Sequence, residues 1–277
     1  MIGPTSVRSA KLSGVELELG TEIGRGLRSV VYEFGEADIA KVPNPDVPVG
    51  WLVEELRLTQ AAARAGASVP RRTRLVSLGG ATALAGERIH GPSMWDRLVE
   101  NASLAPGLAA DLARVQFELA RLPTSFELPA QRDRIVSKIH LAARQHGEEL
   151  LRTLDVMPPD VGPLVLCHGD LHPRNVLLPS GGEVLVDWFD ASRGLIEAEV
   201  ARTLIMLEDS HEIGPGSEAV VERAIDDFRA AYLAAATTRV DRELVDQWMV
   251  VQGVARLAEG FGRHRLDVLR RRLAQVR

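Results

Sequence analysis

The chain has 277 residues, 45% of them hydrophobic and 26% charged, the composition of a folded globular protein long enough to bury a core without covalent staples. A net charge of −5 argues against a general nucleic-acid binder. A single cysteine excludes an intrachain disulfide framework, and no apolar run reaches the roughly 18 residues of a membrane span. The N-terminal stretch has no apolar segment of signal-peptide length and Cys167 suits a reducing compartment, so a cytoplasmic protein is expected.

Residues 15–42 read as short strands broken by glycines: Val15–Leu19, Val30–Phe34 and Ile39–Val42, whose alternation and β-branched content favour antiparallel pairing. Pro43, Pro45 and Pro48 end the third, and a helix follows over Gly50–Ala65 with Gly66 at its end. Two more strands fit Arg74–Leu78 and Ala81–Ala85. The segment Glu87-Arg88-Ile89-His90-Gly91-Pro92 then breaks the pattern and marks a boundary. Beyond it the helical period takes over: Leu104–Leu122, one or two helices within Arg132–Leu154, and then Glu197–Asp209, Ser217–Ala236 and Arg242–Leu273. The expected fold is α+β in two lobes. A small antiparallel-sheet lobe (1–88) would bind nucleotide, and a larger helical lobe (89–277) would carry catalysis and substrate binding.

The most informative stretch is His168-Gly169-Asp170-Leu171-His172-Pro173-Arg174-Asn175, followed, across a hairpin turning at Pro179-Ser180-Gly181-Gly182, by Val184-Leu185-Val186-Asp187. A carboxylate, an amide five residues on and a second carboxylate closing an apolar strand are what phosphoryl transfer from a nucleotide requires. Asp170 reads as the catalytic base, and Asn175 and Asp187 as oxygen ligands of Mg²⁺, which keeps several waters and needs few protein donors. His168 and His172 read as structural props. Asp190 either caps a turn or faces substrate.

Gly24 and Gly26 between the first two strands would let a tight turn bring backbone N–H groups, and the Ser29 hydroxyl, to phosphate oxygens; a plain β-turn is the competing reading. Lys41 either points into a cleft, where its ammonium needs an anion, or lies on the solvated face of an edge strand. A helix carboxylate, Glu55 in preference to Glu54, would hold it on the phosphates of ATP or GTP. Nine acids lie between Leu195 and Asp227, against Arg202 and Arg223, and six arginines in the last fifteen residues. Solvated helix faces account for both; the acids are also placed to bind ammonium groups of a substrate.

These residues together resemble the aminoglycoside phosphotransferases and related small-molecule kinases of protein-kinase-like fold, over about Gly20 to Glu259. The loop from His168 to Asn175 with Asp187-Trp188 carries most of the likeness; Glu55, Gly66, Pro70 and Glu87-Arg88-Ile89-His90-Gly91 match in order and approximate spacing. The resemblance implies an inter-lobe hinge at which backbone groups of Ala85 to Glu87 meet adenine, with Lys41 on phosphates, Asp170 as base and Asn175 and Asp187 on Mg²⁺. Gly169 stands where protein kinases have arginine, Asp187-Trp188-Phe189 replaces Asp-Phe-Gly, and no Ala-Pro-Glu follows, which disfavours a protein substrate. Glu199 stands where the family often has aspartate. The expected reaction is transfer of the γ-phosphoryl of a nucleoside triphosphate to a hydroxyl of a small molecule. An aminoglycoside-like antibiotic is mildly favoured as acceptor over a macrolide, a choline-like amine or a sugar. A nucleotide-binding pseudokinase is the competing class, and no nucleic-acid, membrane or defined oligomeric partner is read from the chain.

Overall fold

A computed structural model describes residues 9–12, 15–124, 127–212 and 219–275. The chain opens with β1 (Ser9–Leu12), β2 (Val15–Arg25), β3 (Ser29–Phe34) and β4 (Asp38–Pro43). Helix α1 (Val49–Ala65), β5 (Arg74–Leu78) and β6 (Ala81–Glu87) follow. The six strands form one sheet in the order β1-β2-β3-β4-β6-β5, every neighbouring pair antiparallel. Period-2 alternation sets its faces. Ala40 and Val42 of β4 join Phe34, Val76, Leu78, Ala83 and Ala85 in a small sheet core, which turns Ile39 and Lys41 to the opposite face. Helix α1 buries Leu52, Leu58, Ala61 and Ala62. It stops where Gly66 takes up the left-handed conformation (φ 101°) and returns its N–H to the last turn, the stop that glycine makes cheaply.

The remainder is mostly helical: α2 (Met94–Glu100), α3 (Ala105–Leu119), α4 (Gln131–His146), α5 (Thr153–Val156), α6 (Ile196–Glu208), α7 (Ala219–Ala236), α8 (Arg242–Leu257) and α9 (Leu266–Ala274). Four short strands interrupt it: β7 (Val165–Cys167), β8 (Val176–Leu177), β9 (Val184–Leu185) and β10 (Ser192–Gly194). A second, larger core runs through these helices and takes in Leu58, Ala61 and Ala62, so α1 packs against both halves. Cys167 is fully buried next to Leu166 of that core, a small hydrophobe as its apolar neighbours suggested.

Two differences from the sequence reading have physical causes. Helix α2 is absent from that reading because seven residues are too few to establish a period; its signal is the capping box of Ser93 and Asp96. The expected single helix over Arg242–Leu273 is two, because Gly260 (φ 88°) and Gly262 (φ 73°) turn the chain between α8 and α9. Over Arg132–Leu154, where one or two helices are expected, the chain breaks at Gly147 (φ 127°) into α4 and, after a short turn, α5. The first residues expected in the seventh helix, Ser217 and Glu218, lie outside the described residues.

Candidate active site

Two small ladders clamp the reactive loops. The β8–β9 hairpin pairs Val176 with Leu185, and one step further Val186 N donates to Asn175 O at 3.1 Å, so Asn175 and Asp187 are brought side by side. Below them β7 pairs with β10, Cys167 opposite Ser192, which returns the segment after Asp187 to the start of the His168–Asn175 loop. Asp187 itself sits at φ 65°, a region that aspartate tolerates better than most residues.

Across the cleft, Lys41 Nζ donates to both oxygens of Glu55, at 2.7 and 2.9 Å, and to Asp187 Oδ1 at 3.2 Å. This resolves both open choices: Lys41 faces the cleft and its helix partner is Glu55, while Glu54 turns to Arg57 at 2.7 Å. Burial alone would lower the Lys41 pKa; the Asp187 and Glu55 carboxylates outweigh it and raise the pKa above the usual lysine range, so the ammonium stays charged.

Asp170 accepts from Asn175 Nδ2 at 3.1 Å on Oδ2, and its carbonyl accepts from the same amide at 2.8 Å. His172 Nε2 lies 3.6 Å from Oδ2 and Arg202 Nη2 3.7 Å from Oδ1. Burial pushes the Asp170 carboxyl up, but the hydrogen bond and charge of His172, with Arg202 and Arg256, hold it well below the usual carboxylate range. It is therefore an anion throughout the physiological range. Asn175, donating through its NH₂, keeps its amide oxygen for another partner, and Lys41 takes only one oxygen of Asp187. Among the described residues no three His, Cys, Asp or Glu side chains gather as a metal cage. One amide oxygen and one carboxylate oxygen fit a hard divalent cation that retains water, and they fit nothing that needs sulfur or imidazole.

Gly169 is dictated by space. It has φ 76°, and a Cβ there would lie 2.2 Å from Asp190 O, which explains why no arginine stands at this position. Gly169→Ala is expected to cost about 2–4 kcal/mol through strain and overpacking, read as a shifted denaturant midpoint. Unchanged stability would contradict the close approach.

Two buried groups flank this glycine with opposite titration. His168, hydrogen-bonded to Val186 O at 3.1 Å and 4.5 Å from the Trp188 ring, has its pKa lowered to about 4 by burial, against the pull of Asp170 and Asp187. Glu199 accepts from Gly169 N at 2.9 Å, and burial raises its pKa to about 7, with the Gly169 hydrogen bond and Arg202 opposing. Unfolding below pH 6.5 takes up a proton at His168, so its stabilisation is lost as pH falls from about 6.5 to about 4. The unfolded Glu199 ionises first, so its stabilisation is lost as pH rises from about 4.5 to about 7. Each amounts to about 3 kcal/mol and the two oppose. Glu199→Gln is expected to leave stability climbing from pH 4 to 6.5, and His168→Asn to leave it falling from pH 4.5 to 7. Parallel curves for the two variants in urea titrations would contradict this.

Two adjoining cavities meet at these residues. The larger, about 620 Å³, is lined by Gly24, Gly26, Ser29, Lys41, Ala85, Glu87, Asn175 and Asp187, among others. The second, about 400 Å³, holds Asp170 beside Gly26, Ser29, Lys41, Trp51, Phe189 and Phe261. The turn between β2 and β3 closes with Gly26 N donating to Ser29 O at 2.9 Å. At the end of β6, Glu87 N donates to Arg71 O and Arg88 N to Ala37 O, both at 2.9 Å. The N–H of Glu87, one of the backbone groups expected at adenine, is thus already spent within the protein.

Sequence reasoning missed the network behind Asp170. Arg202 donates to Gly169 O at 3.0 Å and to Glu259 at 2.8 and 2.9 Å; Lys138 reaches Asp190 at 2.9 Å and Glu259 at 2.7 Å. The available signal was an arginine amid the apolar run Val200 to Leu207. Asp190 is an ion-pair anchor lining the second cavity, and His172 accepts from Arg174 N at 3.2 Å.

The acids after Asp187 need correction. Asp209 is fully buried between Arg256 (3.0 Å) and Arg265 (2.5 Å), Glu208 pairs with Arg229 and Arg265, and Glu199 is buried at Gly169. Glu208 and Asp209 are taken up by internal arginines and Glu199 is buried against the Gly169 N–H, so none of the three is free to bind ammonium groups. Glu222, Asp226 and Asp227 are solvent-exposed as expected, Glu218 lies outside the described residues, and the side chain of Glu212 is likewise not described.

A strand-rich half carrying a Lys–Glu pair and a helical half carrying two loop carboxylates define a protein-kinase-like fold. The chain belongs to the phosphotransferase enzyme family, whose pattern matches residues 20–244. Among solved structures it is similar to a thermostable mutant of aminoglycoside phosphotransferase APH(4)-Ia in ternary complex with AMP-PNP and hygromycin B. That match has a TM-score of 0.61 at 16% identity and covers 94% of this chain and 93% of the other. It is also similar to an aminoglycoside-3'-phosphotransferase of type VIII (0.59, 20% identity, 86% and 93%). A third is a Plasmodium vivax ethanolamine kinase (0.55, 12% identity, 86% and 74%). No curated protein sequence matches. No helix among the described residues is long and apolar enough to cross a membrane.

Proposed function

We propose that this protein is a kinase that transfers the γ-phosphoryl group of a nucleoside triphosphate, ATP or GTP, to a hydroxyl of a small molecule. The convergence of Lys41, Glu55, Asp170, Asn175 and Asp187 on two adjoining cavities carries the reading. The larger cavity takes the nucleotide: Lys41, held by Glu55, meets its phosphates, with the Ser29 hydroxyl above them. The Gly26 N–H is engaged by Ser29 O, and Gly24 lies within β2 opposite Val31, not in the turn as expected. Adenine lies along Ala85 to Glu87, met by the Glu87 carbonyl, since the Glu87 N–H is engaged. Asn175 Oδ1 and Asp187 hold Mg²⁺, which supplies positive charge to the β- and γ-phosphates.

Asp170 faces the second cavity, where the acceptor enters. Its carboxylate, stiffened by Asn175, accepts the hydrogen bond of the attacking hydroxyl and aims the oxygen at the γ-phosphorus. As that O–P bond forms and the bond to the β-phosphate oxygen breaks, the hydroxyl proton passes to Asp170, leaving a phosphate monoester and a nucleoside diphosphate. A carboxylate so firmly ionised is a weak base, which suits a loose transition state in which the proton moves late. Similar folds among aminoglycoside, ethanolamine and amicoumacin kinases support the reaction type without fixing the acceptor. The test is a thermal-shift screen. Mg-ATP or Mg-GTP is expected to raise the melting temperature, and a family of alcohols or antibiotics to raise it further, because ligands of the folded state stabilise it by mass action. No shift with either nucleotide would contradict the assignment.

A further inference from the structure

The second cavity offers a polycationic acceptor no net negative charge: Glu55, Asp170, Asp187, Asp190 and Glu259 in its lining are balanced by Arg25, Arg28, Lys41, Arg174 and Arg256. Each of its carboxylates outside the reacting pair is already matched: Glu55 by Lys41, Asp190 by Lys138 and Arg134, and Glu259 by Arg202, Lys138 and Arg256. An incoming ammonium would have to displace a buried internal cation. Asp133, exposed at the mouth, is the one acid of this region with no ion pair among the described residues.

Two cations here are incompletely satisfied. Arg28, on the exposed turn between β2 and β3, forms no ion pair among the described residues; its guanidinium lies 4.3 Å from the Trp51 ring centroid and 6.0 Å from that of Phe189. Arg134 lies 5.8 Å from Phe189, is only distantly paired with Glu54 (3.5 Å) and Asp190 (3.6 Å), and has a buried Nε with no hydrogen-bond partner. Both line an extension of about 410 Å³ together with Trp51 and Phe189, whose rings stack at 4.5 Å and 9°. A guanidinium beside an aromatic face with donors to spare is a site for a planar anion, which it can bind in bidentate fashion.

We propose that the acceptor is a hydroxylated organic acid with a flat or apolar body. Its anionic group is held by Arg28 and Arg134, its body lies against Trp51, Phe189 and Phe261, and its hydroxyl is at Asp170. This rests on the kinase reading above. It replaces the expectation of an aminoglycoside-like acceptor.

Calorimetry with the full chain saturated with Mg-AMP-PNP tests it. The probes are 3-phenyllactate, mandelate and hydroxybenzoates, each against its uncharged amide, with kanamycin as the polycation. At least one acid is expected to bind about tenfold more tightly than its amide, the worth of one charge-assisted hydrogen bond. Arg134→Gln and Arg28→Gln are each expected to abolish that preference; the second sits on an exposed turn and so bears on the proposal even if the first impairs folding. Equal binding of acids and amides, binding by none of the acids, a preference that survives both substitutions, or kanamycin binding above every acid would overturn it. Binding of Mg-AMP-PNP by the wild-type protein is read separately: its absence would sink the kinase reading, whereas its presence with indifferent acids would sink only this one.

Discussion

Asp170→Ala is expected to lower kcat by about 10³-fold while nucleotide affinity stays within a few-fold of wild type. Asp170 lines the second cavity, the proposed acceptor side, and its carboxylate is met by Asn175, His172 and Arg202, none of which depends on it for its place. Arg202 keeps Gly169 O and Glu259, and Asn175 keeps the Asp170 carbonyl. On the proposed function, what is lost is the group that aims and finally deprotonates the hydroxyl. Asp170→Asn preserves shape and should lose nearly as much, which separates charge from packing. Steady-state turnover paired with a nucleotide binding isotherm checks both, and a variant turning over at a near-wild-type rate would refute the assignment of the base.

Asp187→Ala should act on both quantities, weakening Mg-nucleotide binding by about 10–100-fold and lowering the rate by about 10²–10³-fold. Asp187, proposed above as a metal ligand, also accepts from Lys41 Nζ at 3.2 Å. Its removal takes one donor from the cation and frees Lys41 to close wholly onto Glu55. Because Lys41 and Asp187 touch, Lys41→Met combined with Asp187→Ala should cost much less than the sum of the two. Strict additivity in that double-mutant cycle, or Mg-nucleotide affinity unaffected by Asp187→Ala, would show that the two do not serve one ligand.

The parts of the fold that were legible in the chain are those governed by local pattern. Strand alternation and the glycine stop of α1 need only near neighbours, and so does the spacing of Asp170, Asn175 and Asp187 across a hairpin. Lys41 is different: β4 alternates on both faces, and only the docking of Ala40 and Val42 into the sheet core decides which way the lysine points. The charged residues were least legible. Asp209 looks like one of many surface acids until Arg256 and Arg265, 47 and 56 positions later, fold against it. Arg202 and Glu259 meet across 57 positions in the same manner. Burial of an ion pair is a tertiary event, so a run of acids in sequence says little about the charge a substrate meets.

The most direct check is to follow the γ-phosphorus itself by phosphorus NMR during incubation of the protein with nucleoside triphosphate, Mg²⁺ and a hydroxylated acid drawn from the binding screen. A phosphate monoester is predicted to appear in step with nucleoside diphosphate and to vanish when Mg²⁺ or the Asp170 carboxylate is removed. Nucleoside diphosphate accumulating with inorganic phosphate alone, or an unchanged triphosphate despite bound nucleotide and acceptor, would contradict phosphoryl transfer to an alcohol at this site.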